Sequence, residues 1–521
     1  MSAETPLIDI RPDHWEIVQR ILQEHVPNLE VWAFGSRAKW NAKAFSDLDL
    51  AIITDEPLPI DTSAALNEAF SESDLPWKVD VVDWASVGDG FKQVIERDKV
   101  VVQGGIKEVW RSSVWGDEVT LQYGKALRGY SQTKGLYRVF GSNGPIGWTS
   151  EALTQGPGVV LGRKGAYRGV EFCGDPFWVI DTAYYIVPKT DLDMRWLYYA
   201  VKYHKLGEVD DGSPIPSTTR AAVYMLELDV PPKHEQRAIA HILGTLDDKI
   251  ELNRKQNETL ETMARAMFKA WFVDFEPVRA KMEGRWKRGQ SLPGMPAHLY
   301  DLFPDRMVES ELGEIPEGWR CSTIGEEVIV CGGSTPSTKE TAFWENGKYC
   351  WATPKDLSGK RFPVLMDTDR KITDAGLAKI SSGLLPVGTV LLSSRAPIGY
   401  LAIAEVPTAI NQGFISMKCN GVLSSVFVLM WCVENMEAII GKSNGSTFQE
   451  VSKSSFRSLP VVISPALILD GFSKFVDSFY RKIVVIERES AFLAKVRDTL
   501  LPKLISGGVR IQNVEQLLQN M

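Results

Sequence analysis

Two aspartates in Asp47-Leu48-Asp49 are the residues most suited to chemistry in this sequence. They lie in residues 46–53, an otherwise apolar run that predicts a β-strand. Residues two apart on a strand point to the same face, so the two carboxylates would lie side by side. Mg²⁺ takes one or two carboxylates together with substrate phosphates. The pair therefore predicts a Mg²⁺ site for phosphoryl or nucleotidyl transfer.

A short motif upstream is suited to holding the phosphates. Gly35-Ser36-Arg37 follows the β-like run of residues 30–34. Gly35 would let the backbone approach a triphosphate closely, and Ser36 would offer a hydroxyl and an N–H at the start of a helix. We assign Gly35, Ser36 and Arg37 to nucleotide binding.

A third carboxylate comes from a later strand-like run, residues 77–83. Asp80 would bind metal or act as a general base, and Asp83 is the second choice. The catalytic and metal-binding set is therefore predicted to be Asp47, Asp49 and Asp80.

The order Gly-Ser, Asp-x-Asp and third Asp resembles the minimal nucleotidyltransferase family of the polymerase β superfamily, over roughly residues 10–104. Members transfer a nucleoside monophosphate from an NTP, in some cases onto a protein partner such as a toxin. The resemblance implies Mg²⁺ and an NTP, with ATP the first choice, as cofactors. The alternative is a retained fold that no longer catalyses and serves as a docking module.

Most of the remaining chain is an internal repeat at an offset of 233 residues. Asp211-Gly212-Ser213 is matched by Asn444-Gly445-Ser446. Apolar residues then recur with four-and-three spacing over residues 239–271, and in the same register over 472–504. Two such helices need a partner seam, so we expect them to pair as an intramolecular antiparallel coiled coil. The alternative is two ordinary amphipathic helices in separate domains, against which the shared register argues.

Asn253 and Asn257 fall at seam positions of the first helix. Buried asparagines can specify register or orientation, but these two could also lie where the seam frays or contacts another subunit. A helix over residues 239–271 would span about 50 Å and could hold attached domains a fixed distance apart.

A variable segment rich in aromatics, glycine and short β-like runs precedes each helix. Leu161-Gly162-Arg163-Lys164 in the first segment resembles Leu392-Ser393-Ser394-Arg395 in the second. Arg163, Lys164 and Arg168, with Ser394 and Arg395, are the candidate DNA contacts. The alternative is that these loops are tight turns with solvated basic residues.

Residues 107–521 resemble type I restriction-modification specificity subunits. The stretches that carry the resemblance are PPKHEQRAIA at 231–240, LDDKI at 246–250, WFVDF at 271–275, GEIPEGW at 313–319, SRAPIG at 394–399 and LPKLISG at 501–507. In that family each variable segment reads one half of a split double-stranded DNA site, and the paired helices set the spacer and bind two methyltransferase subunits. S-adenosylmethionine and ATP are used by the methyltransferase and restriction subunits, which are separate chains.

The expected fold is therefore α+β and multidomain: a small α/β nucleotidyltransferase domain, then two mixed α/β target recognition domains joined by the two long helices. The predicted boundaries are 1–104 for the first domain, 107–230 and 319–463 for the recognition domains, 231–283 and 464–507 for the helices, 284–318 for a linker and 508–521 for a tail.

Composition constrains the setting. The six cysteines form no CxxC pair, no signal peptide or membrane span is evident, and the expected location is the cytoplasm. The net charge of −8 argues against DNA binding by bulk electrostatics alone. Two other functions stay open: a nucleotidyltransferase that uses the repeat as a targeting module, and a structural coiled-coil adaptor.

Overall fold

The computed structural model describes residues 6–43, 45–54, 57–104, 110–132, 134–210, 212, 216–444 and 449–509. Part of the matched Asp211-Gly212-Ser213 and Asn444-Gly445-Ser446 motifs lies outside these residues, as does almost all of the predicted tail. The chain divides into two compact units, residues 1–244 with 500–521, and residues 245–499. Within the described residues, no helix combines the length and the apolar character needed to cross a membrane.

The N-terminal segment is a four-stranded sheet with strand order β3-β2-β1-β4. Its elements are α1 (Pro12–His25), β1 (Glu30–Phe34), α2 (Gly35–Ala38), β2 (Leu48–Ile53), α3 (Ile60–Ser71), β3 (Val79–Asp83), α4 (Asp89–Asp98) and β4 (Val100–Gln103). Alternate residues of β1 serve two cores: Val31 packs with residues of α1 and α3, whereas Trp32 packs with Ile95 of α4. Leu48 and Leu50 share the α1 and α3 core, which leaves Asp49 on the other face.

The first repeat forms three small sheets, with strand orders β10-β9-β12-β6, β11-β7-β8 and β13-β5. Its elements are β5 (Arg111–Val114), α5 (Trp115–Glu118), β6 (Val119–Tyr123), β7 (Tyr137–Gly141), β8 (Gly144–Thr149), β9 (Gly158–Gly162), β10 (Val170–Cys173), β11 (Phe177–Val179), β12 (Ala183–Pro188), α6 (Met194–Tyr203), α7 (Arg220–Tyr224) and β13 (Glu227–Val230).

A long helix follows, and then a short helix and a hairpin. These elements are α8 (Lys233–Phe272), α9 (Glu276–Met282), β14 (Met307–Ser310) and β15 (Gly313–Pro316). The predicted linker, residues 284–318, is therefore structured in part. Trp286 within it is 1% exposed and belongs to the same apolar core as Trp271 of α8.

The second repeat has the same plan as the first. Its elements are β16 (Arg320–Thr323), α10 (Ile324–Glu327), β17 (Ile329–Gly332), β18 (Tyr349–Ala352), α11 (Pro354–Leu357), β19 (Val364–Leu365), β20 (Arg370–Ile372), α12 (Asp374–Leu377), β21 (Val390–Ser394), β22 (Ile398–Ala404), β23 (Thr408–Ile410), β24 (Phe414–Lys418), α13 (Ser425–Glu434), α14 (Met436–Gly441), α15 (Lys453–Arg457), β25 (Pro460–Ile463) and α16 (Ala466–Ile505). Strand order β22-β21-β24-β17 repeats β10-β9-β12-β6, and β20-β18-β23 mirrors β8-β7-β11. In each of these three-stranded sheets, the central strand pairs in parallel with one neighbour: β7 with β11, and β18 with β23.

An ion pair with a buried carboxylate recurs at the same place in both repeats. Arg111 pairs with Glu118, and Arg320 pairs with Glu327, in each case between the first strand and the short helix after it. A serine hydroxyl from the strand donates to the same carboxylate, Ser113 in one copy and Ser322 in the other. The two domains therefore share details of construction although their sequences diverge.

The two long helices are each 40 residues long, and they pack together. Asp247 pairs with Arg497 at 2.6 Å, and the Nδ2 atom of Asn257 donates to Glu487 at 2.8 Å. Later residues of α8 thus contact earlier residues of α16, so the two helices run antiparallel. At the C-terminal end of α8, the rings of Phe272 and Phe472 meet edge to face with centroids 4.9 Å apart. The predicted antiparallel pairing, and with it the α+β multidomain fold, is confirmed.

Candidate functional site

The parallel pairing of β2 and β3 brings two of the predicted carboxylates together. Asp49 lies opposite Asp80 in the strand register, and Asp47 lies one residue before β2 begins. Burial raises the pKa of Asp49, and the negative charges of Asp80 and Asp47 raise it further. The three side chains therefore form one electrostatic site, in which like charges repel in the absence of a cation.

Gly35 is the closest backbone neighbour of this site. It has a φ of +77° at the first position of α2, and a Cβ atom added there would lie 2.3 Å from Oδ2 of Asp49. A side chain at position 35 would therefore displace the Asp49 carboxylate as well as strain the backbone. Ser36 follows in α2, as the motif predicts.

Arg37 lies beside this motif, but its donors are directed at the protein backbone. It is 6% exposed. Its Nε and Nη2 atoms donate to the carbonyl oxygen of Ser46, and Nη1 donates to that of Asp9. The guanidinium also lies 4.2 Å from the centroid of the Trp77 ring. Arg37 therefore fixes the loop that leads into Asp47, and we regard it as a positioning residue.

Asp80 and Asp83 have different surroundings, which separates the two candidates for the third carboxylate. Asp80 is 44% exposed and pairs with Lys78. Asp83 accepts from the backbone N–H of Leu58 at 2.8 Å and from the hydroxyl of Ser86 at 3.1 Å. Burial alone would raise the pKa of Asp83, but these hydrogen bonds outweigh it and the pKa is lowered. The Asp83 carboxylate is therefore engaged in local structure, and Asp80 stays the predicted metal ligand.

Mg²⁺ is not held here by a closed set of protein ligands. Among the residues that the structure describes, no three His, Cys, Asp or Glu side chains converge closely enough to hold a metal ion. The register pair Asp49 and Asp80 supplies two carboxylates on one face, and Asp47 lies at its edge. This open arrangement fits Mg²⁺, which usually keeps several positions for water and substrate phosphates.

The candidate DNA contacts of the first repeat differ in how far their side chains are engaged by the protein itself. The guanidinium of Arg163 lies 4.7 Å from the centroid of the Tyr123 ring, and its Nη1 donates to the carbonyl of Asp181 at 3.2 Å. Lys164 has an exposed side chain. Arg168 donates to the carbonyl oxygens of Gly207, Gly165 and Val209, so its guanidinium ties loops together.

The two candidates in the second repeat have less freedom. Ser394 is 2% exposed within β21 and offers almost no surface to a ligand. Arg395 is partly exposed and faces Glu450 at 3.6 Å. Tyr123 and Arg220 lie beside Arg163 in space but far from it in the chain, and no local sequence pattern brings them together.

Residues 107–262 and 316–490 match the family described as type I restriction modification DNA specificity domain. The chain belongs to this family. The specificity subunit is 26% identical over 339 residues to the MjaIX specificity subunit of Methanocaldococcus jannaschii, which is 63% of this chain and 72% of that protein. It is 27% identical over 344 residues to the HindI specificity subunit of Haemophilus influenzae, covering 59% of this chain and 74% of that one.

The fold of the specificity subunit is also similar to that of a solved relative. The S subunit of a type I restriction-modification system from M. genitalium superposes with a TM-score of 0.51 at 17% identity, covering 76% of this chain and 96% of that one. This likeness concerns the fold alone.

The N-terminal segment of the specificity subunit belongs to a second family. Residues 16–104 match the family described as polymerase beta, nucleotidyltransferase. The segment is 52% identical over 102 residues to a probable protein adenylyltransferase MntA of Haemophilus influenzae, covering 20% of this chain and 90% of that protein. Both resemblances noted in the sequence are confirmed, and the chain is a specificity subunit with a fused nucleotidyltransferase-like domain.

Proposed function

We propose that this chain reads a bipartite double-stranded DNA target, with each repeat reading one half. The observation that carries the proposal is the recurrence of one strand order in two domains, each of which leads directly into one of two equal helices. Two readers of similar construction and different surface chemistry suit two different half-sites at a fixed separation.

The helix pair would set the spacer between the half-sites. Its contacts include the Asp247–Arg497 ion pair, with side chains 20% exposed on both partners, and the hydrogen bonds from Asn253 and Asn257. Polar pairs at a seam favour one register over others, because a slip leaves buried polar groups without partners. A fixed register means a fixed distance along the duplex.

The outer surfaces of the same helices would bind two methyltransferase subunits, and restriction subunits would join that complex. Leu252, Val485 and Phe492 are 51%, 64% and 60% exposed, and Met263 and Leu467 on the same helices are exposed as well. Exposed apolar side chains that form one contiguous patch would suit the binding of another protein. S-adenosylmethionine and ATP would be used by those partner subunits.

Methylation sequencing of DNA from a host tests this function directly. Cells that express the methyltransferase subunits with this chain should carry modified bases at one bipartite motif, and cells without this chain should not. A motif that is absent in both cases, with the subunits shown to be present, would support the adaptor role instead.

The N-terminal domain supports a second activity, the transfer of a nucleoside monophosphate from an NTP, with ATP as the first choice. Asp49 and Asp80 would hold Mg²⁺, with Asp47 at the edge of the site. Gly35 and Ser36 would receive the triphosphate, because the glycine leaves open the space beside Asp49 that a side chain at position 35 would fill. Bound Mg²⁺ would neutralise the charge that develops on the phosphates. Asp80 would also accept a proton from the acceptor group.

Incubation of the full chain with labelled ATP and Mg²⁺ tests this activity. Wild type should transfer label to itself or to an added host extract, and Asp49→Asn together with Asp80→Asn should lose transfer. Asp61→Asn is the matched control, since Asp61 is an exposed carboxylate of α3 outside the site. Equal labelling by all three proteins, or none from any NTP, would leave only the docking role for this domain.

A further inference from the structure

A cluster of two arginines and two tyrosines lies at one end of the main sheet of the first repeat. The guanidinium groups of Arg163 and Arg220 lie 4.7 and 4.1 Å from the centroid of the Tyr123 ring. Tyr184 lies beside them, with its ring centroid 5.1 Å from that of Tyr123. These residues come from the end of β6, the end of β9, the start of β12 and the start of α7, so the fold gathers them from distant parts of the sequence.

Hydrogen bonds to the backbone hold the cluster in place, and one of its two tyrosine rings is exposed to solvent. Tyr184 is 1% exposed and its hydroxyl donates to the carbonyl of Thr218 at 3.2 Å, whereas Tyr123 is 44% exposed. The Nε atom of Arg220 donates to the carbonyl of Leu121 at 2.7 Å, which fixes the plane of the guanidinium. Burial and the neighbouring tyrosine raise the pKa of Tyr184 to about 12, so its hydroxyl stays neutral.

Among the described residues, the two arginines have no acidic partner. Within the described part of the chain, neither Arg163 nor Arg220 forms an ion pair with a carboxylate. Two like charges over one ring repel each other unless an anion approaches. Stacking on tyrosine also holds a guanidinium with its outer N–H groups directed away from the ring. The cluster therefore favours a planar or anionic ligand at the surface.

The second repeat has a counterpart at the same position, with different side chains. Strand pairing sets the equivalence: Tyr123 pairs with Tyr184 in one sheet, and Gly332 pairs with Ile415 in the other. Arg220 and Lys453 are each the first residue of a short helix that follows a capping hydroxyl residue. The Nζ atom of Lys453 lies 2.7 Å from where a Cβ atom of Gly332 would be, so this lysine covers Gly332 as Arg220 covers Tyr123.

We propose that Tyr123, Arg163 and Arg220 contact bases of one half-site, and that Lys453 does so for the other half. This inference rests on the proposed bipartite reading of DNA. Phosphate contacts carry no sequence information, so they give two readers no reason to differ. Base edges present different donors and acceptors, and readers of different half-sites must differ in the side chains that reach them. The two repeats share a backbone arrangement at this place but differ in its side chains: Tyr123 and Arg220 in the first repeat correspond to Gly332 and Lys453 in the second.

Methylation sequencing of Arg220→Ala and Lys453→Ala, each expressed with the methyltransferase subunits, tests the inference. Arg220→Ala should relax base preference in one half of the motif only, and Lys453→Ala in the other half only, so each variant is the control for the other. Loss of a bidentate base contact should lower discrimination at the affected position by roughly 5- to 150-fold. An unchanged motif in either variant, or equal weakening of both halves, would overturn the inference.

A second variant separates a folding defect in Arg220→Ala from failure of the inference. If Arg220→Ala abolishes all methylation, Arg163→Ala is the deciding variant. Within the described residues, the Arg163 side chain makes a single hydrogen bond to the protein, to the carbonyl of Asp181. A change in the same half-site supports the inference, and an unchanged motif overturns it. A wild-type chain that directs no bipartite methylation would overturn the proposed function itself, and the inference with it.

Discussion

Two buried asparagines in α8 should respond unequally to the same substitution. Asn253 and Asn257 are both 0% exposed, and the Oδ1 atom of each has no hydrogen-bond partner. Leucine would remove an unsatisfied acceptor, worth about 1–3 kcal/mol, and would bury an apolar side chain, worth about 1.5–3 kcal/mol. These gains are similar at both positions, so any difference between Asn253→Leu and Asn257→Leu reports on the hydrogen bonds that each loses.

The lost hydrogen bonds are unequal. Asn253 donates to the hydroxyl of Ser490 at 3.2 Å and to Glu489. Glu489 is exposed and also pairs with Lys249 at 3.3 Å, so water and lysine replace the amide at that carboxylate. Asn257 donates to Glu487, a half-buried carboxylate whose pKa is raised by burial. A hydrogen bond to a charged group contributes about 1.5–3 kcal/mol, and losing it where water is excluded carries the full cost. Asn257→Leu should therefore be less stable than Asn253→Leu by about that amount.

Hydrogen–deuterium exchange of the amides in α8 measures this locally, which suits a chain with several domains. Exchange in the middle of the helix should be slower in Asn253→Leu than in wild type, and roughly 10- to 150-fold faster in Asn257→Leu than in Asn253→Leu. Equal protection in the two variants would refute the argument, because it would mean that Glu487 gains nothing from its donor. Faster exchange in Asn253→Leu than in wild type would refute it as well.

The remaining predictions use other parts of the chain. The deficit of Asn257→Leu should shrink as the pH is lowered, because the raised pKa of its carboxylate partner means that the folded state binds a proton more readily than the unfolded state, and the same exchange experiment at a series of pH values checks this. Gly35→Ala should abolish transfer of label from ATP by displacing the Asp49 carboxylate, whereas Gly90→Ala in α4, where an added Cβ meets nothing within 4 Å, should leave it intact. Hydrogen bonds from Arg111 lower the pKa of Glu118 to about 2, so this pair should stabilise the first repeat above about pH 4.5 and lose that contribution as the pH falls toward 2; thermal melts of Glu118→Gln should lack this pH dependence.

The heptad pattern predicted the long helices well, because residues along the whole seam must be buried against the other helix and so recur at a fixed spacing. Residues 239–271 and 472–504 lie inside α8 and α16, and the seam residue Asn257 meets α16 as expected. The caps and the first turns fall outside the periodic run, so the helices extend beyond it at their N-termini. The predicted domain boundaries stay predictions.

The nucleotidyltransferase site was only partly readable from spacing. The alternation of residues along one strand predicted that Asp47 and Asp49 share a face, whereas β2 begins at Leu48 and Asp47 precedes it. The pairing of Asp49 with Asp80 depends on which strands are neighbours, and no local pattern contains that information. The backbone contacts of Arg37 are equally invisible in a sequence, since carbonyl oxygens belong to every residue.

The negative charge of the whole chain and its proposed binding of DNA are reconciled by the way the cations are placed. A net charge of −8 cannot hold a polyanion by bulk attraction, and many arginines here are neutralised by nearby carboxylates, as Arg111 is by Glu118. Arg163 and Arg220 differ because tyrosine, which carries no charge, holds them in place. A reader with a net negative charge gains little from non-specific phosphate contacts, so a larger share of its affinity must come from base contacts or from its partner subunits. In such a protein, the positions where a cation stacks on an aromatic ring are the first places to look for sequence recognition.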